Sequence, residues 1–593
     1  MRVKGIIIVL LLVSGQLSAQ VLPAERAVDW SVAGLKNEIP APNVVIDFVE
    51  AGGIGDGAFI NNAVMEGIIA DNMGDTVQVN FPNGVFYFDT TIYVPSNYIL
   101  NGLGADSTLL EFDLGGGNTH MIRVAGSTSP AANSSIVGSI IKGEKIIEVA
   151  EVDSFEVGDW VQIKDYDLDN VFNDWGEYNT GQILKIAEIT GDQIEFESQF
   201  RRNYDALDEP FIIRMNMREN VAVQHMKLKR LDVGTGPASN IHFIYAANCL
   251  VKCVESELTN FAHVRIDFSS NIEIRGSYFY DGHDYGGGGR AYGVVCELTT
   301  NECLIQDNIF DHLRHSMLLQ AGANGNVFAY NYSKNAYWES VPNNAAGDAV
   351  LHGNYVYANL FEGNIIQSIV VDHSHGINGP YNTFFRNRAE LYGIFMNNSP
   401  ASDSQNFIGN EIPNEGFLLG LYGFEGEDHF KYGNNHRGET KPEDTDDLID
   451  ESYYLDEALP YFEFYSSWPP IGYPNGMEDY NNEVYNNLAI GYAIQCENLY
   501  EDVSVAEVSI ENKQLEFYPN PVAQSLTVEI PAELNLNEAI EIVVYNLLGE
   551  QVLATNVTSY YQNIDVSALQ NGTYILELKD IKSSYSLSKF VKQ

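Results

Sequence analysis

The segments NVFAYNYS (residues 326–333), NLFEGNII (359–366), NTFFRNRA (382–389) and QNFIGNEI (405–412) are variants of one pattern. Two earlier segments, NIEIRGSYF (271–279) and ECLIQDNIF (302–310), align with them. The alignment puts Ser277, Asn308, Asn331, Asn364, Asn387 and Asn410 in one column, at spacings of 31, 23, 33, 23 and 23 residues. Self-similarity at such spacings marks stacked repeats, because one short repeat cannot bury its apolar face alone. An amide recurring at the same bend can hydrogen-bond both the backbone and the next amide. The pattern predicts stacked strand-turn coils carrying an asparagine ladder.

The strand preceding each ladder strand aligns too: RIDFSSN, VCELTTN, LLQAGAN, VLHGNYVYAN, VVDHSHGINGPYN and FMNNSPASDSQN. Its outward column reads Asp267, Glu297, Gln320, His352, Asp372, Asn397. Stacked strands lie about 4.8 Å apart, so this column is a physical row whose members perturb one another's ionisation. Acids beside a histidine are what proton transfer at a sugar linkage needs. Asp267, Glu297, His352 and Asp372 are therefore the candidate catalytic residues.

Polar segments flank the row. GHDYGGGGRAYG brings His283, Asp284 and Arg290, DHLRHS brings Arg314 and His315, and DHSHG brings His373 and His375. Together with Gln320 and Asn397 these are candidate substrate contacts. Arg386 and Arg388 flank Asn387, so alternation puts both on one side, where they are candidates for a carboxylate or sulfate. Tyr285, Tyr292, Tyr381 and Trp338 offer rings for sugars, although packing is the commoner fate of any one aromatic. The glycines at 286–289 lack a strand-to-helix context and read as a bend rather than a phosphate loop.

Composition narrows the partners. The 593 residues hold 32 Lys+Arg against 81 Asp+Glu, a formal charge of -49, which disfavours nucleic acid and anionic membrane. Residues 1–19 have a basic start, an apolar run and a small-residue end, as a signal peptide does, and no other run is long enough to span a membrane. Cys249, Cys253, Cys296, Cys303 and Cys496 fit no zinc spacing and read as buried thiols. No metal ligand set is forced, and calcium is the ion that the acidity leaves open. A monomer is expected.

The ladder resembles that of the right-handed parallel β-helix of the pectate-lyase-like superfamily, over roughly residues 40 to 490. VNFPNGVFYFDTTIYVPSNYILNGLGADSTLLEFD (79–113) is similar to the opening coils of that superfamily. Residues 140–215 break the pattern and read as a small β insertion, more simply a rigid cap than a sugar-binding part. Residues 413–495 no longer show the ladder and read as a C-terminal cap, followed by a linker at 496–513. FYPNP (517–521), VYNLLG (544–549) and GTYIL (572–576) resemble the C-terminal sorting domain of the type IX secretion system of Bacteroidetes, over residues 514–593. That resemblance implies an all-β chain with a β-sandwich-like tail, secreted or attached to the cell surface by the type IX machinery.

Within the superfamily's range the expectation is a polysaccharide-degrading enzyme. An endo-acting glycoside hydrolase on a sulfated or uronate-containing algal glycan, such as a fucan or carrageenan, would use the acids of the row. A lyase or epimerase on a uronate polymer such as alginate would need a base, and no lysine lies between Lys252 and Lys334. His352, His315, an arginine or a tyrosine would have to serve. A non-catalytic glycan-binding surface protein is the third class, and it has no need of clustered histidine and acid.

Overall fold

The computed structural model describes residues 20–166, 168–457, 471–473, 517–530, 541–546, 551–579 and 584–593. The signal peptide, the linker and Cys496 lie outside these residues, as does much of the C-terminal cap. The chain divides into two compact units, Met1–Tyr500 and Glu501–Gln593.

The first unit is a parallel β-helix. Most of its described strands form one 32-stranded sheet in which strands pair in parallel with their counterparts one coil away, the antiparallel pair Asn434–His436 and Glu439–Lys441 excepted. Thus Val327–Ala329 pairs with Leu360–Glu362, which pairs with Thr383–Phe385, which pairs with Asn406–Ile408. The third residue of each NxF motif points inward. Phe328, Phe361, Phe384 and Phe407 stack with ring centroids 5.1, 5.0 and 5.2 Å apart, all fully buried. Aromatic stacking of this kind adds to the burial term that holds the coils.

The ladder lies beside this core. Asn331 Nδ2 donates to Ile305 O (2.8 Å) and to Asn364 Oδ1 (2.9 Å), and the Asn331 N–H also donates to Asn364 Oδ1 (3.0 Å). The same bonds recur at Asn308, Asn364, Asn387 and Asn410. Beyond the expected end the ladder continues to Asn434, which accepts from Asn410 Nδ2 at 2.9 Å, so the segment after residue 412 keeps it for another coil. A second ladder runs five residues upstream, from Asn326 through Asn359 and Asn382 to Gln405.

The residue before each rung of the first ladder is left-handed: Asp307, Tyr330, Gly363, Arg386 and Gly409 have φ of 54°, 53°, 65°, 52° and 62°. That conformation breaks strand alternation, which corrects the reading of FFRNR. Arg386 is 3 % exposed, donates from Nε to Asp450 O (3.0 Å) and packs on the Phe385 ring, whereas Arg388 pairs with Glu411 at 2.6 Å. Both arginines are committed to the fold.

Glu362, in the strand ahead of this turn, is 1 % exposed and accepts from the Tyr453 N–H (2.9 Å) and the Tyr330 hydroxyl (3.2 Å). Burial pushes its carboxyl up to about 7, although its hydrogen bonds oppose the rise. A carboxyl raised in the folded state contributes stability that is complete below its unfolded pKa of about 4.5 and lost as pH passes 7. Melting midpoints measured from pH 4.5 to 8 are therefore expected to fall less steeply in Glu362→Gln than in the wild-type chain.

The insertion begins earlier than 140. Ser127–Ser135, Ile146–Glu148, Trp160–Lys164, Ile183–Thr190, Gln193–Phe196 and Phe211–Asn216 form a six-stranded antiparallel sheet. It has its own apolar core around Val161, Ile163, Leu184 and Ile212. It is fastened to the coils by Arg201, which is paired with Glu302 and bonded to Asn324 Oδ1 (3.1 Å), and by Gln162 Nε2, which donates to Thr299 Oγ1 (2.9 Å). An arm at residues 20–39 lies across the coils, where Trp30 Nε1 donates to Ala358 O (2.8 Å) and Arg26 Nη1 to Asn406 Oδ1 (3.1 Å).

Cys249, Cys296 and Cys303 are buried free thiols. Cys253 is disulfide-bonded, so the reading of the cysteines as thiols fails there. In the second unit a three-stranded sheet (Phe517–Tyr518, Ser525–Glu529, Tyr561–Asp565) and a four-stranded one (Glu541–Tyr545, Gln551–Asn556, Gly572–Lys579, Ser584–Lys592) enclose Leu526, Val528, Ile542, Val544, Leu576 and Phe590.

Candidate active site

The polar row is in register. Asp267 pairs directly with Glu297. The backbone N–H groups of Gln320, His352, Asp372 and Asn397 each donate to the coil below, to Cys296 O, Leu319 O, Leu351 O and Val371 O, at 3.1, 2.9, 2.9 and 3.0 Å. The six side chains share a file, but their surroundings divide it in two.

At the lower end the acids are buried: Asp267 is 2 % exposed and Glu297 5 %. Arg265, two residues before Asp267 and on its face, reaches both, with Nε 3.0 Å from Asp267 and Nη2 2.7 Å from Glu297 Oε1. His242 Nε2 lies 2.9 Å from Asp267 Oδ2, and its ring stacks at 4.1 Å on His120. Burial raises both carboxyls, Glu297 to about 7; Arg265 opposes the rise in each, while the neighbouring acid adds to it at Glu297 and, through its hydrogen bond, opposes it at Asp267. One guanidinium does not offset two buried carboxylates, so the pair retains a proton near neutral pH. Burial and the Arg265 charge hold His242 far below its usual range, and burial with the nearby His242 takes His120 down to about 2, so both stay neutral.

Two coils higher the chemistry changes. His352 Nδ1 lies 2.8 Å from Asp372 Oδ2, while Asp372 Oδ1 accepts from the Ser374 N–H at 2.5 Å. A carboxylate only accepts, so Nδ1 carries the proton of this contact; in the neutral form of the ring the lone pair is then on Nε2. Burial acts to raise the Asp372 carboxyl, but the His352 hydrogen bond and charge hold it well below its usual range. His315, whose Nδ1 donates to Gly347 O at 2.9 Å, is pressed down to about 3 by burial and by Arg314 and His352.

Aromatic rings join the two ends. Arg265 lies 5.3 Å over Phe261, Phe261 is 5.3 Å from Tyr292, and Tyr292 is 4.9 Å from His315. His315 is 5.8 Å from His352, and His352 is 5.0 Å from His375. Arg314 sits 5.8 Å over Tyr292 and donates from Nη1 to Gly286 O at 2.8 Å, tying the glycine bend to the file.

Other candidates stand further off. His283 Nε2 donates to Arg230 O (3.1 Å), Asp284 pairs with Arg290 (3.3 Å), and Gln320 Nε2 donates back to His352 O (3.3 Å). His373 and Asn397 are half-buried with no role in the dyad's hydrogen bonding. Tyr381 lies beneath Lys142 at 4.3 Å and Tyr285 bonds His312 at 2.9 Å, both structural, and Trp338 Nε1 donates to Pro342 O at 2.7 Å. Sequence reasoning missed Arg265, visible as the i−2 neighbour in RID, and His242, visible only once register is known. It also missed the insertion's contribution: Asn173 Oδ1 is 2.6 Å from His375 Nδ1, and the Trp175 ring is 5.4 Å from that imidazole. Among the described residues no group of three or more His, Cys, Asp or Glu is placed to hold a metal, and no helix is long and apolar enough to cross a membrane.

Residues 516–593 match the family described as "Secretion system C-terminal sorting domain". The chain is exported by type IX secretion. Its destination is the cell surface or the extracellular space. Over 202 residues the chain is 20 % identical to the capsule K1-specific depolymerase of Klebsiella phage K64-1, covering 32 % of this chain and 22 % of that protein. Among solved structures it is similar to the tailspike protein gp49 of Pseudomonas phage LKA1 (14 % identity, TM-score 0.47, 62 % of this chain and 64 % of that one). It is also similar to the tailspike gp61 of Pseudomonas phage phi297 (12 %, TM-score 0.41, 66 % and 81 %). The chain thus spans about a fifth of the depolymerase and under two thirds of the first tailspike.

Proposed function

We propose that the exported β-helix is a polysaccharide-active enzyme that removes the proton beside the carboxylate of a uronate sugar, as a lyase or an epimerase does. The observation that carries this reading is the 2.8 Å contact between His352 Nδ1 and Asp372, which leaves Nε2 as a base on the partly open end of the file. His352 takes the proton from the carbon next to the carboxylate, and Asp372 stabilises the imidazolium. In a lyase the electron pair forms a carbon–carbon double bond and the glycosidic C–O bond breaks, its oxygen taking a proton from the His352 imidazolium or from water. In an epimerase the carbon is reprotonated on the other face by water, and His352 gives its proton back to solvent. Arg314 is the cation suited to the sugar's carboxylate, which sharpens as an acceptor when the neighbouring C–H bond weakens.

Hydrolysis is the second reading, favoured by Glu297: a carboxyl held up to about 7 is protonated enough to act as a general acid. Its burial and its commitment to Arg265 weigh against it. The depolymerase likeness supports either reaction on a glycan. A panel of alginate, fucoidan and carrageenan, assayed for new reducing ends and for absorbance near 235 nm, separates them. Reducing ends with absorbance are expected on alginate. Reducing ends without it would move the assignment to hydrolysis, and neither, with no change in sugar configuration by NMR, would sink the enzymatic reading.

A further inference from the structure

We infer that the insertion supplies a sugar-stacking platform at Trp175, with Phe172 beside it, that binds a neighbouring pyranose of the same polysaccharide. This rests on the reading of the file as a glycan site. Trp175 and Phe172 are 46 % and 64 % exposed. Single exposed aromatics are common and by themselves mean little. These two differ because the backbone that carries them is fastened to the dyad's surroundings. Asn354 Oδ1 accepts from the N–H groups of both Phe172 (2.9 Å) and Asn173 (3.1 Å). Asn173 Oδ1 meets both His375 Nδ1 (2.6 Å) and Asn354 Nδ2 (3.3 Å). Phe172 also lies over Gly376, where an added Cβ would come within 2.5 Å of Phe172 Cβ, so a larger residue there would lift the loop away.

The Trp175 ring meets His375 at 75° with centroids 5.4 Å apart, and His375 is 5.0 Å from His352. An indole held at that remove from the base contacts a sugar adjoining the one that reacts, through the apolar C–H face of its ring. Tryptophan is suited to this because it offers a broad apolar surface with little rotamer freedom to lose. The contact is made equally in the ground and transition states, so it acts on binding rather than on the chemical step.

Trp175→Ala in the full mature chain is expected to raise KM by about tenfold, with kcat changed by less than about twofold, and Trp175→Phe to recover most of the loss. Oligomers of the panel polymers are expected to shift the tryptophan emission of the wild-type chain, and that shift is expected to vanish in Trp175→Phe. An unchanged melting midpoint in both variants excludes a folding effect. An unaltered KM, a fall confined to kcat, or an emission shift that survives in Trp175→Phe would overturn the platform. A wild-type chain that binds oligomers through Trp175 without turning over any polymer would overturn the proposed reaction and leave the platform standing. Absence of both binding and turnover would overturn both.

Discussion

His352→Ala is expected to lower turnover of the wild-type chain's polymer by about 10² to 10⁴, the range that a positioned acid or base contributes, with little change in melting midpoint. His352 is half-buried and its side-chain hydrogen bond is to Asp372, so truncation removes the base and frees a carboxylate that the Ser374 N–H still engages. Asp372→Asn is the sharper variant. It preserves shape but lets the amide donate to Nδ1, which forces the proton onto Nε2 and blocks the base without removing it. A loss in Asp372→Asn close to that of His352→Ala is the expected result. Full activity in both, measured as initial rate on the same polymer, would remove the dyad from the reaction and leave Glu297 as the leading candidate.

The largest structural effect is expected at the ladder. Asn364→Ala removes a side chain that donates to Phe328 O and Asn387 Oδ1 and accepts from the Asn331 N–H and Nδ2. All these groups are buried, and water does not replace the lost partners. Asn387 Oδ1 keeps the Asn364 N–H and Asn331 Nδ2 keeps Ile305 O, so two groups lose their side-chain partner; at about 1 to 3 kcal/mol for each, the loss is on the order of 2 to 6 kcal/mol, well above the median for a point substitution. Denaturant unfolding of Asn364→Ala and Asn435→Ala, the second on a half-buried residue beside the last rung, is the direct comparison, with a loss of about 1 kcal/mol or less expected for the latter. Equal losses would mean that the ladder is incidental to stability.

Much of this architecture was legible because it repeats. A rung such as Asn387 has the same neighbours as Asn364 or Asn410, so alignment within the chain substitutes for coordinates. The polar file was found the same way, since one shift of the alignment carries Asp267 to Glu297. Other features resisted for physical reasons. Arg386 was misread because strand alternation was extended across a left-handed residue, whose effect on side-chain direction is invisible without φ. The second ladder, Asn326 to Gln405, stands in the first position of the very segments that reveal the first one, but it has fewer rungs and ends on a glutamine, so its column is the weaker signal. Trp175 and Asn173 were out of reach, because the insertion has no repeat to fix its register and its approach to His375 spans 202 residues of sequence.

The arm at residues 20–39 changes what kind of object the β-helix is. A bare stack of coils behaves as a one-dimensional chain in which each repeat answers only to its neighbours, so its ends fray and it unfolds piecemeal. Here the Val21 N–H bonds Asp450 Oδ2 at 2.9 Å across 429 residues, and Leu35 bonds Glu273 at 3.1 Å across 238. The arm is thus fixed by coils completed near the end of the unit, and peeling a terminal coil must break contacts with several others. Such a seam favours all-or-none unfolding and delays the final closure until nearly the whole stack exists, a useful property for a protein working outside the cell among proteases that attack frayed ends.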